Sequence, residues 1–158
     1  MQALNPHVQV DAVAARLQGD ELVACVAAVD LVLDCSDNFT TRLAVNRACV
    51  AQGKPLVSGA AIRTEGQVAV FNATSASPCY ACLYGEDNPE TQLSCSESGV
   101  LAPLVGIIGA MQAAEAVKVL ARFGEPLDGR LLLLDVRTME WRTLSLNKDP
   151  ACPVCASR

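Results

Sequence analysis

Two C-x-x-C pairs, Cys79-Tyr80-Ala81-Cys82 and Cys152-Pro153-Val154-Cys155, place four thiols in the second half of the chain. Each pair can turn back on one ion through a tight knuckle, and two knuckles complete the closed four-sulfur shell of structural zinc without a histidine. Such a metal would tie the chain's last residues to its middle. A redox pair of thioredoxin type needs its attacking cysteine at a helix start, where the thiol pKa falls. Only Ala156, Ser157 and Arg158 follow Cys155, and Leu83-Tyr84-Gly85-Glu86-Asp87-Asn88-Pro89 after Cys82 reads as a loop. Eight cysteines in 158 residues could also form a disulfide framework. Against it stand the chain's size, its apolar composition and an opening, Met1-Gln2-Ala3-Leu4-Asn5-Pro6, without a leader pattern, so a reducing cytoplasm is expected.

Other side chains have the right type for chemistry and an ordinary alternative beside it. Ser36-Asp37-Asn38 follows an apolar run and precedes a helical pattern, a place where turn and capping residues gather. The same place, beyond the carboxyl end of a strand, is where open parallel sheets bind ligands, and a carboxylate there suits magnesium with substrate phosphates. Asp34, inside the apolar run, is a weaker candidate for that role. Cys95, in Leu93-Ser94-Cys95-Ser96-Glu97, lies in a polar stretch near a helix start, either as a passive thiol or as a nucleophile with a lowered pKa. Cys25, Cys35 and Cys49 fall within apolar patterns and read as packing. Arg63, between two strands, could bind an anion or bridge Glu65, and His7 reads as surface.

The elements that must position these residues follow from the pattern. At 51% hydrophobic and 18% charged, the chain can bury one full core, so residues 1–158 are expected to form a single domain. A net charge of -5 leaves no basic stripe for a nucleic acid. The apolar stretch from Val100 to Ala114 is broken by Pro103, two glycines and Gln112, and Glu115 and Lys118 follow, so no membrane span is expected. Alternation in Val8, Val10, Ala12 and Ala14 suggests a first strand, and Asp20 can cap a helix that places Leu22, Val23, Val26 and Ala27 on one face. Asp30 to Cys35 reads as a buried strand, Thr40 to Gln52 as a helix stopped by Gly53, and Leu56–Gly59 and Gly66–Phe71 as strands. The polar segment from Gly85 to Ser98 reads as a loop. A long helix follows from about Leu101 to Ala121, capped by Ser96 or Ser98, with Pro103 in its first turn. Arg130–Val136 and Trp141–Leu146 read as a hairpin. The alternation of strands and helices implies an α/β fold, a mostly parallel Rossmann-like sheet with helices on both faces, closed by the C-terminal antiparallel hairpin.

In combination these segments resemble a known family. Leu4-Asn5-Pro6-His7-Val8, Leu33-Asp34-Cys35-Ser36-Asp37-Asn38, Gly59-Ala60-Ala61-Ile62-Arg63-Thr64-Glu65-Gly66-Gln67, the Cys79–Leu83 segment, Gly99 to Gly106 and the closing Cys-Pro-x-Cys are similar, in order, to the ThiF/MoeB/HesA family. These proteins are bacterial relatives of ubiquitin-activating enzymes. The resemblance implies adenylation of the C-terminal glycine of a small ubiquitin-like sulfur-carrier protein, with ATP and magnesium, and a homodimer. It also implies that Asp37, with Asn38 beside it, serves Mg-ATP, that Cys79, Cys82, Cys152 and Cys155 hold zinc, and that Cys95 matches a loop cysteine used in sulfur transfer in the thiamine branch. No Gly-x-Gly-x-x-Gly phosphate loop occurs in the chain, which therefore resembles the C-terminal portion of the family fold and would leave a sheet edge open to association. The alternative is a non-catalytic, zinc-stabilised module that binds a carrier protein or a homologous subunit.

Overall fold

The computed structural model describes residues 2–86 and 98–158. Five strands, β1 (Val32–Asp34), β2 (Leu56–Ile62), β3 (Glu65–Phe71), β4 (Arg130–Asp135) and β5 (Glu140–Ser145), form one open sheet in chain order. Among the described residues, four helices pack on it: α1 (Gly19–Ala27), α2 (Phe39–Gln52), α3 (Tyr80–Tyr84) and α4 (Ala102–Ala121). The α/β architecture is as expected, but the sheet is not mostly parallel. Only β1 and β2 run parallel, with Val32 opposite Leu56, while the three pairings from β2 to β5 are antiparallel. The connection explains this. Arg63 and Thr64 alone join β2 to β3, which permits a hairpin but not the crossover that a parallel partner needs. Arg63 takes the left-handed φ of 51° that such a tight turn uses.

Side chains alternate between two cores, as the period of a strand requires. Leu56, Ala69, Phe71 and Leu131 face Val26 of α1, Ala48 and Cys49 of α2 and Tyr80 of α3. Their neighbours Val57, Val68, Val70 and Leu134 face Leu104, Ile108 and Ala116 of α4. Helices therefore cover both faces. Close approach of α4 depends on glycine: a Cβ at Gly59 would lie 2.3 Å from the Gln112 side chain, and one at Gly66 2.6 Å from Ile108.

Several boundaries depart from expectation. Residues 8–14 form no strand and stay exposed, because alternation alone supplies neither a partner edge nor a face to bury. Asp20 sits in the first turn of α1, one residue inside it, and the N-cap is Gln18. Helix α4 is capped by Leu101 without a side-chain bond and not by Ser98, because Leu101 is tied into a bridge: its N–H donates to Arg63 O at 2.8 Å. Ser96 lies outside the described residues. Helix α2 ends as read, at Gly53 in the left-handed region.

Helix α4, 20 residues long, is apolar enough to cross a membrane by length and composition, an 18-residue stretch of it having mean hydropathy 1.6, contrary to the expectation. The charges that break the pattern pair with each other, Lys118 Nζ with Glu115 Oε1 at 2.5 Å. Glu115 also accepts the Leu127 N–H at 2.8 Å, so the helix's polar groups are spent on the fold it packs against. Strands β1 and β5 are the sheet's edges, and β5 is exposed along its whole length.

Candidate metal centre and cleft

The two C-x-x-C pairs meet. Cys79 is the N-cap of α3, which runs through the first pair to Tyr84. The segment read as a loop is therefore helical at Leu83 and Tyr84 and leaves the helix at Gly85, while residues 87–89 lie outside the described residues. Tyr80 and Tyr84 pack with Phe39 and Phe71 in one aromatic cluster. The second pair lies in a turn built on Asp149, whose carboxylate accepts the Ala151 N–H at 2.8 Å and whose carbonyl accepts the Cys152 N–H at 3.1 Å. Lys148 Nζ donates to Ser75 O at 2.8 Å and Arg158 O at 3.0 Å, holding the tail to the body of the chain.

All four sulfurs lie within 4.8 Å of one another. Cys79 is 3.6 Å from Cys152 and 3.8 Å from Cys82, and Cys82 is 3.4 Å from Cys155. A tetrahedron with metal–sulfur bonds of about 2.3 Å has edges of about 3.8 Å, whereas a disulfide would bring sulfurs to about 2.05 Å. The spacing therefore fits four ligands on one ion, and all four cysteines are free thiols. Without a cation this cluster is costly to ionise: burial pushes the Cys79 thiol up to about 11 and raises Cys155 further. Burial would raise Cys82 as well, but N–H donors from Asp149 and Cys79, together with the thiols of Cys155 and Cys152, outweigh it and lower the thiol. A divalent cation offsets the same burial and brings the thiols to thiolates.

The second centre is a cleft of ≈ 230 Å³ beyond the end of β1, lined by Cys35, Ser36, Asp37, Arg42, Gly59 and Gln112 among others. Asp37 is exposed there. Asn38 is the N-cap of α2: its Oδ1 accepts the Thr41 N–H at 2.9 Å, and its Nδ2 donates to Asp37 Oδ1 at 3.4 Å. It thus orients Asp37 as well as starting the helix. Asp34, by contrast, is buried and unavailable to a ligand. Its Oδ1 accepts Ser36 N–H and Oγ–H at 2.9 and 2.7 Å, and its Oδ2 faces Arg42 Nη1 at 3.7 Å. Cys35 is exposed rather than packed and donates to Gln112 Oε1 at 3.6 Å. Cys49 is fully buried, and burial with the nearby Asp34 charge pushes its thiol up to about 12. Cys95 lies outside the described residues, as does most of the polar segment read as a loop. No Arg63–Glu65 ion pair forms among the described residues. The Arg63 main chain instead bonds Gly99 and Leu101, each at 2.8 Å.

Three buried polar residues that the pattern did not single out carry the cleft and the cluster. Arg42 donates to Ser58 Oγ at 3.3 Å, to Gly59 O at 3.0 Å and to Ser36 O. Gln112 Nε2 donates to Asp34 O at 2.9 Å and Val57 O at 3.3 Å. Asn46, fully buried, accepts the Tyr80 N–H at 2.9 Å and donates to Cys79 Sγ at 3.7 Å. The available signal was an Arg–Asn pair one turn apart on the face of α2 that also carries Cys49.

The chain is an open α/β sheet with a four-cysteine clasp, and solved structures share its fold. The crystal structure of Escherichia coli MccB with ATP superposes with a TM-score of 0.80 at 17% identity, over 98% of this chain and 48% of that one. The ThiF family matches residues 1–154, and the chain belongs to that family. The molybdopterin-synthase adenylyltransferase of Escherichia coli (strain K12) is 46% identical over 96% of this chain and 61% of its own length. The sulfur carrier protein adenylyltransferase of Thermus thermophilus is 45% identical over 98% of this chain and 59% of its own. The sulfur carrier protein ThiS adenylyltransferase of Escherichia coli (strain K12) is 42% identical over 96% and 60%. The chain thus spans roughly three-fifths of these relatives' length.

Proposed function

We propose that this chain serves the ATP-dependent adenylation of the C-terminal carboxylate of a small ubiquitin-like sulfur-carrier protein. The observation that carries the reading is the recurrence of that activity in the names of relatives more than 40% identical across nearly the whole chain. The site's chemistry is compatible with it. A carboxylate is a poor acceptor for sulfur, and attack of its oxygen on the α-phosphorus of ATP expels pyrophosphate and leaves a mixed anhydride with a good leaving group. Such a reaction needs positioning and charge neutralisation more than covalent help.

On this reading Asp37 is the group that takes part. It is exposed in the cleft, oriented by Asn38, and stands in front of the N-terminus of α2. Its carboxylate suits magnesium, which when bound would act as Lewis acid and template for the phosphates. Arg42 and Gln112 fix the cleft's walls by bonding the main chain at Ser36, Gly59, Asp34 and Val57. The four-sulfur cluster suits zinc, closed and structural, leaving the reaction to the cleft. Cys95 remains the candidate sulfur nucleophile on sequence grounds alone.

The test is ATP–pyrophosphate exchange by the chain with magnesium and a sulfur-carrier protein ending in glycine. Carrier-dependent exchange that Asp37→Ala abolishes, with the unfolding midpoint unchanged, is the expected result. Carrier binding with no exchange would overturn adenylation by this chain and make it a binding module.

A further inference from the structure

The cluster and the cleft are both reached from one face of α2, at successive turns, and a side chain on that face touches a candidate ligand. Asn46 is fully buried and lies four residues, about 6 Å along the helix, beyond Arg42. Its orientation is decided by its partners. The Tyr80 main-chain N–H can only donate, so the atom 2.9 Å from it must be the amide oxygen, and the amide nitrogen must face Cys79 Sγ at 3.7 Å. A sulfur that accepts an N–H bond is favoured as thiolate and is held in direction as well as charge. The same amide thereby fixes the N-terminus of α3, which starts at the ligand itself.

One turn earlier on the same face, Arg42 binds Ser36 O, Gly59 O and Ser58 Oγ, the main chain and side chain that shape the cleft. A shift of α2 along its axis would break both sets of bonds together. We propose that Asn46 is a positioning residue of the metal centre: its amide N–H aims the Cys79 sulfur at the ion, and α2 carries that constraint back to Arg42, so that cluster and cleft move as one unit. This inference rests on the reading that the four sulfurs hold a metal. It adds that the grip on the metal is set partly from α2.

The experiment uses the 158-residue chain loaded with cadmium-113 or zinc. In the cadmium form, the Asn46 side-chain amide proton should show scalar coupling to the metal through the N–H···S bond, a signal that needs no variant. Asn46→Asp keeps the oxygen for Tyr80 and replaces the N–H donor with a second oxygen. It should release zinc to a competing chelator about 10–100-fold more readily, the range for loss of a partner to a metal ligand. In the zinc-loaded variant, the α2 amides around Arg42 should also exchange with solvent faster. If wild type takes up neither ion, the metal reading fails. If wild type binds metal but shows no coupling, and Asn46→Asp holds zinc as wild type does, the role of Asn46 fails alone. A looser metal with unchanged exchange around Arg42 overturns the transmission to the cleft.

Discussion

Replacing Arg42 with methionine should cost the fold about 3–5 kcal/mol, the range for removing one partner of a buried ion pair. The pair is sealed, with side-chain exposures of 6% for Arg42 and 2% for Asp34. Asp34 Oδ1 keeps its two bonds from Ser36, but Oδ2 has no hydrogen-bond partner and only the guanidinium, at 3.7 Å, to offset its burial. Methionine preserves the stem's packing while leaving that oxygen, and the carbonyls of Ser36 and Gly59, without their donor. Of that cost the carbonyls account for about 1 kcal/mol each. The assay is urea unfolding of the metal-loaded protein at about pH 7 for Arg42→Met, Asp34→Asn and the double variant. Asp34→Asn alone strands the guanidinium, so the double variant should recover roughly 2 kcal/mol of the summed losses as coupling energy. It should not recover everything, because the two carbonyls stay unpaired. Arg47→Met is the control: its partner Glu86 is 2.6 Å away, but Arg47 is 53% exposed, and the loss should stay below about 1 kcal/mol. A cost below about 1 kcal/mol for Arg42→Met, or zero coupling in the cycle, would refute the claim that this pair anchors the end of β1.

Cys152→Ser with Cys155→Ser should abolish stoichiometric zinc uptake and release the tail from Ser75, seen as protease sensitivity after Leu146; unchanged metal content in the double variant would sink the four-sulfur assignment. Rising pH should destabilise the metal-loaded protein through Cys49, whose thiol is pushed from 9.0 up to about 12 by burial and the Asp34 charge. Below pH 9 both states keep the proton and the contribution is complete; above it the unfolded chain ionises first, so stability falls until about pH 12. Unfolding midpoints between about pH 8 and 11 should fall less steeply in Cys49→Ala than in wild type, and equal slopes would refute the attribution.

Helix α2 was legible because its signals are local: Asn38 caps it, Gly53 stops it, and both act within a few residues. The two C-x-x-C pairs were legible for the same reason, since metal-ligand spacing is written in the chain. Strand direction was not. Whether β3 runs back along β2 depends on how Arg63 bends and on what bridges it, and Arg63 carries no turn signature of the Asn-Gly kind. The false strand at Val8–Ala14 has the opposite origin, an alternation with no partner to make it matter. Buried polar residues were hidden for a third reason. Gln112 and Asn46 look like solvent-facing interruptions of apolar helices until the groups they satisfy, Asp34 O, Val57 O and Tyr80 N–H, are brought to them by the fold.

Those residues share a logic that bears on the site. Each one satisfies main-chain groups where a regular element ends or a helix crosses the sheet: Arg42 at Ser36 and Gly59, Gln112 at Asp34 and Val57, Glu115 at Leu127, Asn46 at the start of α3. An apolar core could fill the same space but could not bond those groups, and an unsatisfied buried carbonyl or amide costs about 1–3 kcal/mol. Their arrangement leaves Asp37 as the acidic side chain in the cleft wall that no buried partner holds, with Asn38 bonded to it. A rigid floor under one exposed carboxylate would suit the proposed adenylation, because the floor would set where a phosphate could sit while the carboxylate stayed free to meet a cation.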